Sequence, residues 1–200
     1  MFDARLRPLI NPALDRMGAV LARRGVSANQ VTLAGAACGA LAGLAIGLGQ
    51  PLAGLALVLA SRLLDGLDGA IARASRPTDF GGYLDIVCDY VFYLAVPLGF
   101  GFAAPGNLPF ALMLVATFTL TAVSFLAYAA LAAKRGLETR AHGLKSFFYS
   151  TGLAEGAETL LAFVLICLWP AGFPVVASIF AGICLLTVIQ RSVIAWRVFR

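Results

Sequence analysis

Apolar and polar positions alternate along this chain in long blocks rather than residue by residue. Six apolar runs approach or exceed the ~20 residues that a helix needs to cross hydrocarbon. They lie at about 31–48, 51–72, 82–103, 108–133, 153–169 and 173–196. Ahead of the first run, Leu6, Ile10, Leu14, Met17 and Leu21 recur at helical spacing among charged residues. That spacing predicts an amphipathic helix over residues 3–24, lying on the membrane surface or packed on the bundle, its first half disturbed by Pro8 and Pro12. The pattern as a whole predicts an all-α integral membrane protein with six transmembrane helices and an N-terminal surface helix. It reads as a single domain over 1–200, with 1–30 juxtamembrane and 31–200 forming the bundle.

Charge sharpens this picture. Only 12% of the residues are charged and 60% are hydrophobic, against roughly 25% charged in a soluble domain. Arg5, Arg7, Arg16, Arg23 and Arg24 precede the first run, Arg73 and Arg76 follow the second, and Lys134, Arg135, Arg140 and Lys145 follow the fourth. Arg191, Arg197 and Arg200 close the chain, while "GLGQP", "AAPGNLP" and "WPAGFP" hold no Lys or Arg. By the positive-inside rule both termini and the 73–81 and 134–150 connections face the cytoplasm, which predicts a multi-pass protein of the cytoplasmic (inner) membrane. The net charge of +5 belongs to that one face and favours anionic headgroups; nothing in it suggests a nucleic-acid partner. Cys38, Cys88, Cys167 and Cys184 all fall inside apolar runs with no CxxC spacing, and His142 sits in a charged connection, so neither type reads as a metal ligand.

The acidic residues carry the chemistry. Of ten Asp and Glu, six (Asp65, Asp68, Asp85, Asp89, Glu155 and Glu158) fall within or at the ends of apolar runs. Each such placement costs roughly 2.5–3.5 kcal/mol on insertion scales, so a cluster marks a functional site. An ion pair between Arg62 and Asp65, three residues apart, accounts for one of them. Asp65 and Asp68 share one helix face, and Asp85 and Asp89 share another. The intervening "ARASRPTDFGG" marks a turn, so runs two and three form an antiparallel hairpin in which the carboxylates meet at one depth near the cytoplasmic surface. Two divalent ions balance four negative charges, and an oxygen-only ligand set selects Mg²⁺ or Mn²⁺. Such a pair suits displacement at phosphorus. Gly66, Gly69, Gly81 and Gly82 let a bulky ligand approach the backbone, and Arg73 offers a fork for phosphate oxygens. A cation transporter or channel is the rival class, but the acidic residues cluster at one end only.

Asp65-x-x-Asp68-Gly69-x-x-Ala72-Arg73 followed by Gly81-x-x-x-Asp85-x-x-x-Asp89 resembles the signature of the CDP-alcohol phosphatidyltransferases, with an Arg73–Gly81 linker one residue shorter than usual. More weakly, the resemblance extends to the six-run layout and to "SANQVT" before the first run. It implies transfer of a phosphatidyl group from CDP-diacylglycerol to the hydroxyl of an acceptor alcohol, with release of CMP. It further implies that Asp65, Asp68, Asp85 and Asp89 hold two divalent ions and that Asp89 is also the general base. Gly69, Arg73 and Gly81 would contact the CDP moiety, Asn29 and Thr32 would line its nucleotide side, and Thr78 would join them from the turn. A non-catalytic scaffold of the same fold is the alternative that the intact motif argues against.

Two further features remain. Lys145, Glu155 and Glu158 either shape the acceptor pocket or simply complement a helix N-terminus. Lys134, Arg135, Arg140, Lys145 and Arg191 are cations available to an acceptor's phosphate. Tyr90 stands where the glycerol-phosphate branch of the family typically has Lys, which disfavours that acceptor. Gly35, Gly39, Gly43 and Gly47 recur every fourth residue and fit either packing within the bundle or a homodimer seam.

Overall fold

The computed structural model describes residues 3–137 and 152–200, and these are helical with no strand. Helix α1 runs unbroken from Asp3–Arg23 through both prolines, so Pro8 and Pro12 do not interrupt it. Gly25, at φ 83°, lets the chain turn sharply into α2 (Ala28–Gly47). Helix α2 opens on a capping box, in which Gln30 N–H donates to Ser27 Oγ at 3.3 Å and Ser27 N–H donates to Gln30 Oε1 at 3.0 Å. Helix α3 (Pro51–Ala74) begins on a proline, and α4 (Asp79–Ala103) is capped by Thr78, whose Oγ1 accepts from Gly81 N–H at 3.0 Å. Helices α5 (Leu108–Lys134), α6 (Gly156–Leu168) and α7 (Phe173–Phe199) complete the bundle.

Among the described residues, four segments are long and apolar enough to cross a membrane: Ala28–Gly47, Asp79–Ala103, Pro105–Lys134 and Pro170–Phe199. Helix α3 has the length, but Arg62, Asp65, Asp68 and Arg73 interrupt its apolar surface. At 13 residues, α6 extends about 20 Å at 1.5 Å per residue, short of the ~30 Å hydrocarbon layer. Outward faces carry Leu41, Leu44, Leu112, Leu120, Ile179 and Leu186 exposed, the surface that a lipid solvent accepts and water does not.

The interior is built by aromatic rings and close backbone approach. Phe92, Phe163 and Phe173 are fully buried; Phe92 and Phe163 lie 5.2 Å apart, and Phe100 stacks on Phe173 at 4.9 Å. The glycine stripe packs inside the bundle. A methyl at Gly35 would touch Leu64 of α3 at 3.4 Å, one at Gly39 would meet Phe92 of α4 at 3.0 Å, and one at Gly43 would overlap the Ala95 carbonyl. Helix α2 therefore lies along both α3 and α4, which touch each other only slightly. The expected α3–α4 hairpin is in fact splayed, with α2 packed on both of its arms.

Candidate active site

The splay leaves a space at one end of α2, α3 and α4, lined by Thr32, Ser61, Arg62, Asp65, Asp68, Asp85 and Asp89 among others. Asp65 and Asp68, a turn apart on α3, face Asp85 on α4. One carboxylate oxygen from each lies within 4.8 Å of the others. Six-coordinate Mg²⁺ at about 2.1 Å from its ligands sets them about 3–4 Å apart, so slight closure of this trio fits one hard cation. Asp68 is held from α2: Thr32 Oγ1 donates to Asp68 Oδ2 at 2.6 Å, and both residues are buried.

Asp89 stands outside that trio. Its Oδ1 accepts from Arg62 Nη1 at 2.9 Å, while the same nitrogen is 3.6 Å from Asp65 Oδ2. The pair with Asp65 read from local spacing is thus present, but the shorter bond crosses to α4. The guanidinium lies over the Phe92 ring at 3.9 Å, and its Nη2 donates to Ser61 Oγ at 3.3 Å. Ser61, fully buried, donates in turn to the Gly35 carbonyl at 2.9 Å. Arg62 Nε is buried without a hydrogen-bond partner, a cost of about 1–3 kcal/mol that the charge interactions must offset.

The residues expected on the nucleotide side gather at the same end. A methyl at Gly81 would lie 3.0 Å from Thr78 Oγ1 and 3.2 Å from Asn29 Oδ1, so the starts of α2 and α4 meet there. Thr32 is turned toward Asp68 instead. Arg73 donates through Nε and Nη2 to one oxygen of Asp15 on α1, at 3.2 and 2.7 Å. Its Nη1 lies 3.3 Å from where a Gly69 methyl would stand. Gly66 does not face a ligand: Leu14 of α1 fills the space beside it, 2.8 Å from the position of a Cβ. Gly82 is open.

A second cavity of about 120 Å³ lies beside the first and is lined by Tyr90, Tyr93, Thr121, Glu155, Thr159 and Cys184 among others. Of the expected acceptor cations, Arg191 is buried and donates to Thr121 O at 2.8 Å and Ser124 Oγ at 2.7 Å. Arg135 is bound to the end of α7 through Phe199 O at 2.7 Å. Arg140, His142 and Lys145 lie outside the described residues.

The family model for CDP-alcohol phosphatidyltransferases matches residues 25–196 of this chain. The chain belongs to the CDP-alcohol phosphatidyltransferase family. It is a multi-pass membrane enzyme of that class, and the family is divalent-cation dependent. This transferase is 47% identical to the inner membrane protein YnjF of Escherichia coli, over 96% of this chain and 93% of that one. It is 40% identical to an archaetidylinositol phosphate synthase of Pyrococcus horikoshii, over 43% of this chain and 46% of that one. Its fold matches the phosphatidylinositol phosphate synthase PgsA1 of Mycobacterium tuberculosis, solved with manganese and citrate, at TM-score 0.71 and 24% identity over 92% of this chain and 88% of that one. The same enzyme solved with CDP-DAG bound also matches at TM-score 0.71, with 93% of its chain covered.

Asp15, Ser61 and the cross-helix role of Arg62 were not legible as site features. The available signal was Asp15, an acidic residue in the middle of a helix whose charged positions are mostly arginine.

Proposed function

We propose that this transferase moves a phosphatidyl group from CDP-diacylglycerol to the hydroxyl of a small acceptor alcohol and releases CMP. The observation that carries the reading is the convergence of Asp65, Asp68 and Asp85, with Asp89 beside them at the mouth of the splayed α3–α4 pair. The first three side chains hold a divalent cation, Mg²⁺ or Mn²⁺. When bound, that ion supplies neutralisation of the charge on the departing CMP.

Asp89 serves as the general base. Arg62 occupies its Oδ1, which fixes the carboxylate and leaves Oδ2 to take the proton. The acceptor oxygen, as it loses that proton, bonds to the phosphorus of the phosphatidyl group. The bond from that phosphorus to the oxygen bridging to CMP breaks, and CMP leaves with the electron pair. A free alcohol is a weak nucleophile, so a positioned carboxylate matters at this step. Asn29, Thr78 and Gly81 bind the nucleotide side, and Arg73 over Gly69 takes phosphate oxygens through the nitrogen that Asp15 leaves uncommitted. Tyr90 and Tyr93, within a turn of Asp89 on α4, open the second cavity toward the reacting phosphorus as the acceptor's seat. Relatives that make inositol phosphate lipids support an acceptor of polyol size.

The surrounding arrangement follows from the same reading. Residues 1–200 form one domain whose six-helix bundle, α2 to α7, lies in the membrane, with both termini and the site on the cytoplasmic side, so that acyl chains stay in lipid while CMP escapes to water. The basic residues at that end support it. The test is CMP release by detergent-purified protein given CDP-diacylglycerol, Mn²⁺ and a panel of acceptor alcohols. Acceptor-dependent CMP that falls by at least about a hundredfold in Asp89→Asn, in line with the roughly 10²–10⁴-fold contribution of acid–base catalysis, is the expected result. Full activity in that variant removes Asp89 as the base, and no CMP with any acceptor removes the reaction.

A further inference from the structure

We infer that this site takes one divalent cation rather than two, with the Arg62 guanidinium standing where a second ion would bind. The inference deepens the transferase reading above but is tested separately from it. Four carboxylates call for two divalent ions only when no other cation is present. Here a cation is built in: Arg62 Nη1 lies 2.9 Å from Asp89 and 3.6 Å from Asp65. A divalent ion joining Asp65 to Asp89 would have to sit at about 2.1 Å from their oxygens, in the space that this nitrogen fills.

The guanidinium is not placed to swing aside. One face of it lies on Phe92 at 3.9 Å, Tyr93 is at 5.8 Å, and Nη2 is bonded to the fully buried Ser61, itself bonded to the α2 backbone. Planar stacking and directional donors make this a fixed charge in a way that a lysine would not be. Asp65, Asp68 and Asp85 remain as a complete trio for a single ion. Asp89 is thereby relieved of coordination, and its second oxygen stays available for a proton.

The experiment counts ions, not turnover. Metal-free wild-type protein in detergent is titrated with Mn²⁺, and free Mn²⁺ is followed by its electron paramagnetic resonance signal. The expected result is about one tight ion per chain whose bound spectrum is that of an isolated Mn²⁺. Two tight ions per chain, coupled through shared carboxylates, overturn the inference, as does the absence of tight binding. In Arg62→Met, which keeps an unbranched chain over the two rings, a second ion and spin coupling are expected. A folded Arg62→Met protein that still binds one ion overturns the role given to the guanidinium. Should that variant fail to fold, the wild-type count and spectrum still decide. CMP release measured alongside separates the two readings: one ion with no CMP leaves the inference standing and removes the reaction, whereas two ions with CMP does the reverse.

Discussion

Thr32→Val tests whether α2 acts on the cation site through a single hydroxyl. Thr32 has one proton and two acceptors in reach, Asp68 Oδ2 at 2.6 Å and the Ala28 carbonyl at 3.0 Å. The shorter contact and the charged acceptor assign the proton to Asp68. Hydrogen bonds to charged groups contribute about 1.5–3 kcal/mol, and both partners here are buried, so water does not readily replace the hydroxyl. Valine keeps the branched shape and removes only the donor. Asp68, no longer fixed, must be ordered by the cation itself, and loss of such an orienting bond costs roughly 10–100-fold in metal affinity. Calorimetric titration of the variant with Mn²⁺ is therefore expected to show a dissociation constant at least about tenfold higher, with CMP release at limiting Mn²⁺ falling in parallel and Thr32→Ser close to wild type. A contrary outcome is physically well defined. If the hydroxyl served only to compensate the buried anion, the cation would take over that task and binding would tighten. Unchanged or tighter Mn²⁺ binding in Thr32→Val refutes the orienting role.

The other expectations follow from named contacts. Asp15→Ala frees the Arg73 guanidinium; because that pair is exposed, worth about 0.2–1 kcal/mol, the KM for CDP-diacylglycerol should rise no more than about fivefold while kcat holds and Asp15→Glu restores binding. Steady-state kinetics at two salt concentrations check this. Gly43→Ala drives a methyl into the Ala95 carbonyl of α4; overpacking of about 1–3 kcal/mol lowers the unfolding temperature by several degrees in detergent, and Gly182→Ala, where nothing lies within 4 Å, should not lower it, since alanine is the better helix former.

What could be read from the sequence is what depends on short spacing. Apolar blocks placed α2 through α7 to within a few residues, because a run of apolar residues marks the helix that lipid or the bundle interior accepts. The aspartates were legible because charge in such blocks is costly. The contacts that tune them were not. Arg62 and Asp89 are separated by 27 positions, Thr32 and Asp68 by 36, and Asp15 and Arg73 by 58. Local pattern pairs Arg62 with Asp65, since a helix brings positions three apart together, but which neighbouring helix faces the arginine is decided by packing. The splay of α3 from α4 is of the same kind. Consecutive helices joined by a short turn ordinarily pack together, and only the glycine face of α2, read against specific residues of both, shows why these do not.

Lipid offers no hydrophobic drive for helices to associate, so close packing and interhelical polar contacts must hold such a bundle together. The two ends of α2 divide that work. Along Gly39 and Gly43 the contact is backbone against α4, with aromatic rings filling the centre. Toward Thr32 and Gly35 the links are polar: Thr32 to Asp68, Ser61 to the Gly35 carbonyl, and beyond them Arg62 to Asp89. These bonds join α2 to α3 and α3 to α4, so the groups that bind a cation and take a proton also hold three helices in register. A loosened site is therefore a loosened bundle at that end. At Gly43 the backbones already meet so closely that an added methyl would overlap the Ala95 carbonyl, so the helices cannot make up the loss by closing there. The orientation of Asp68 and the register of α2 are on this view one property, and a substitution at Thr32 should disturb both together.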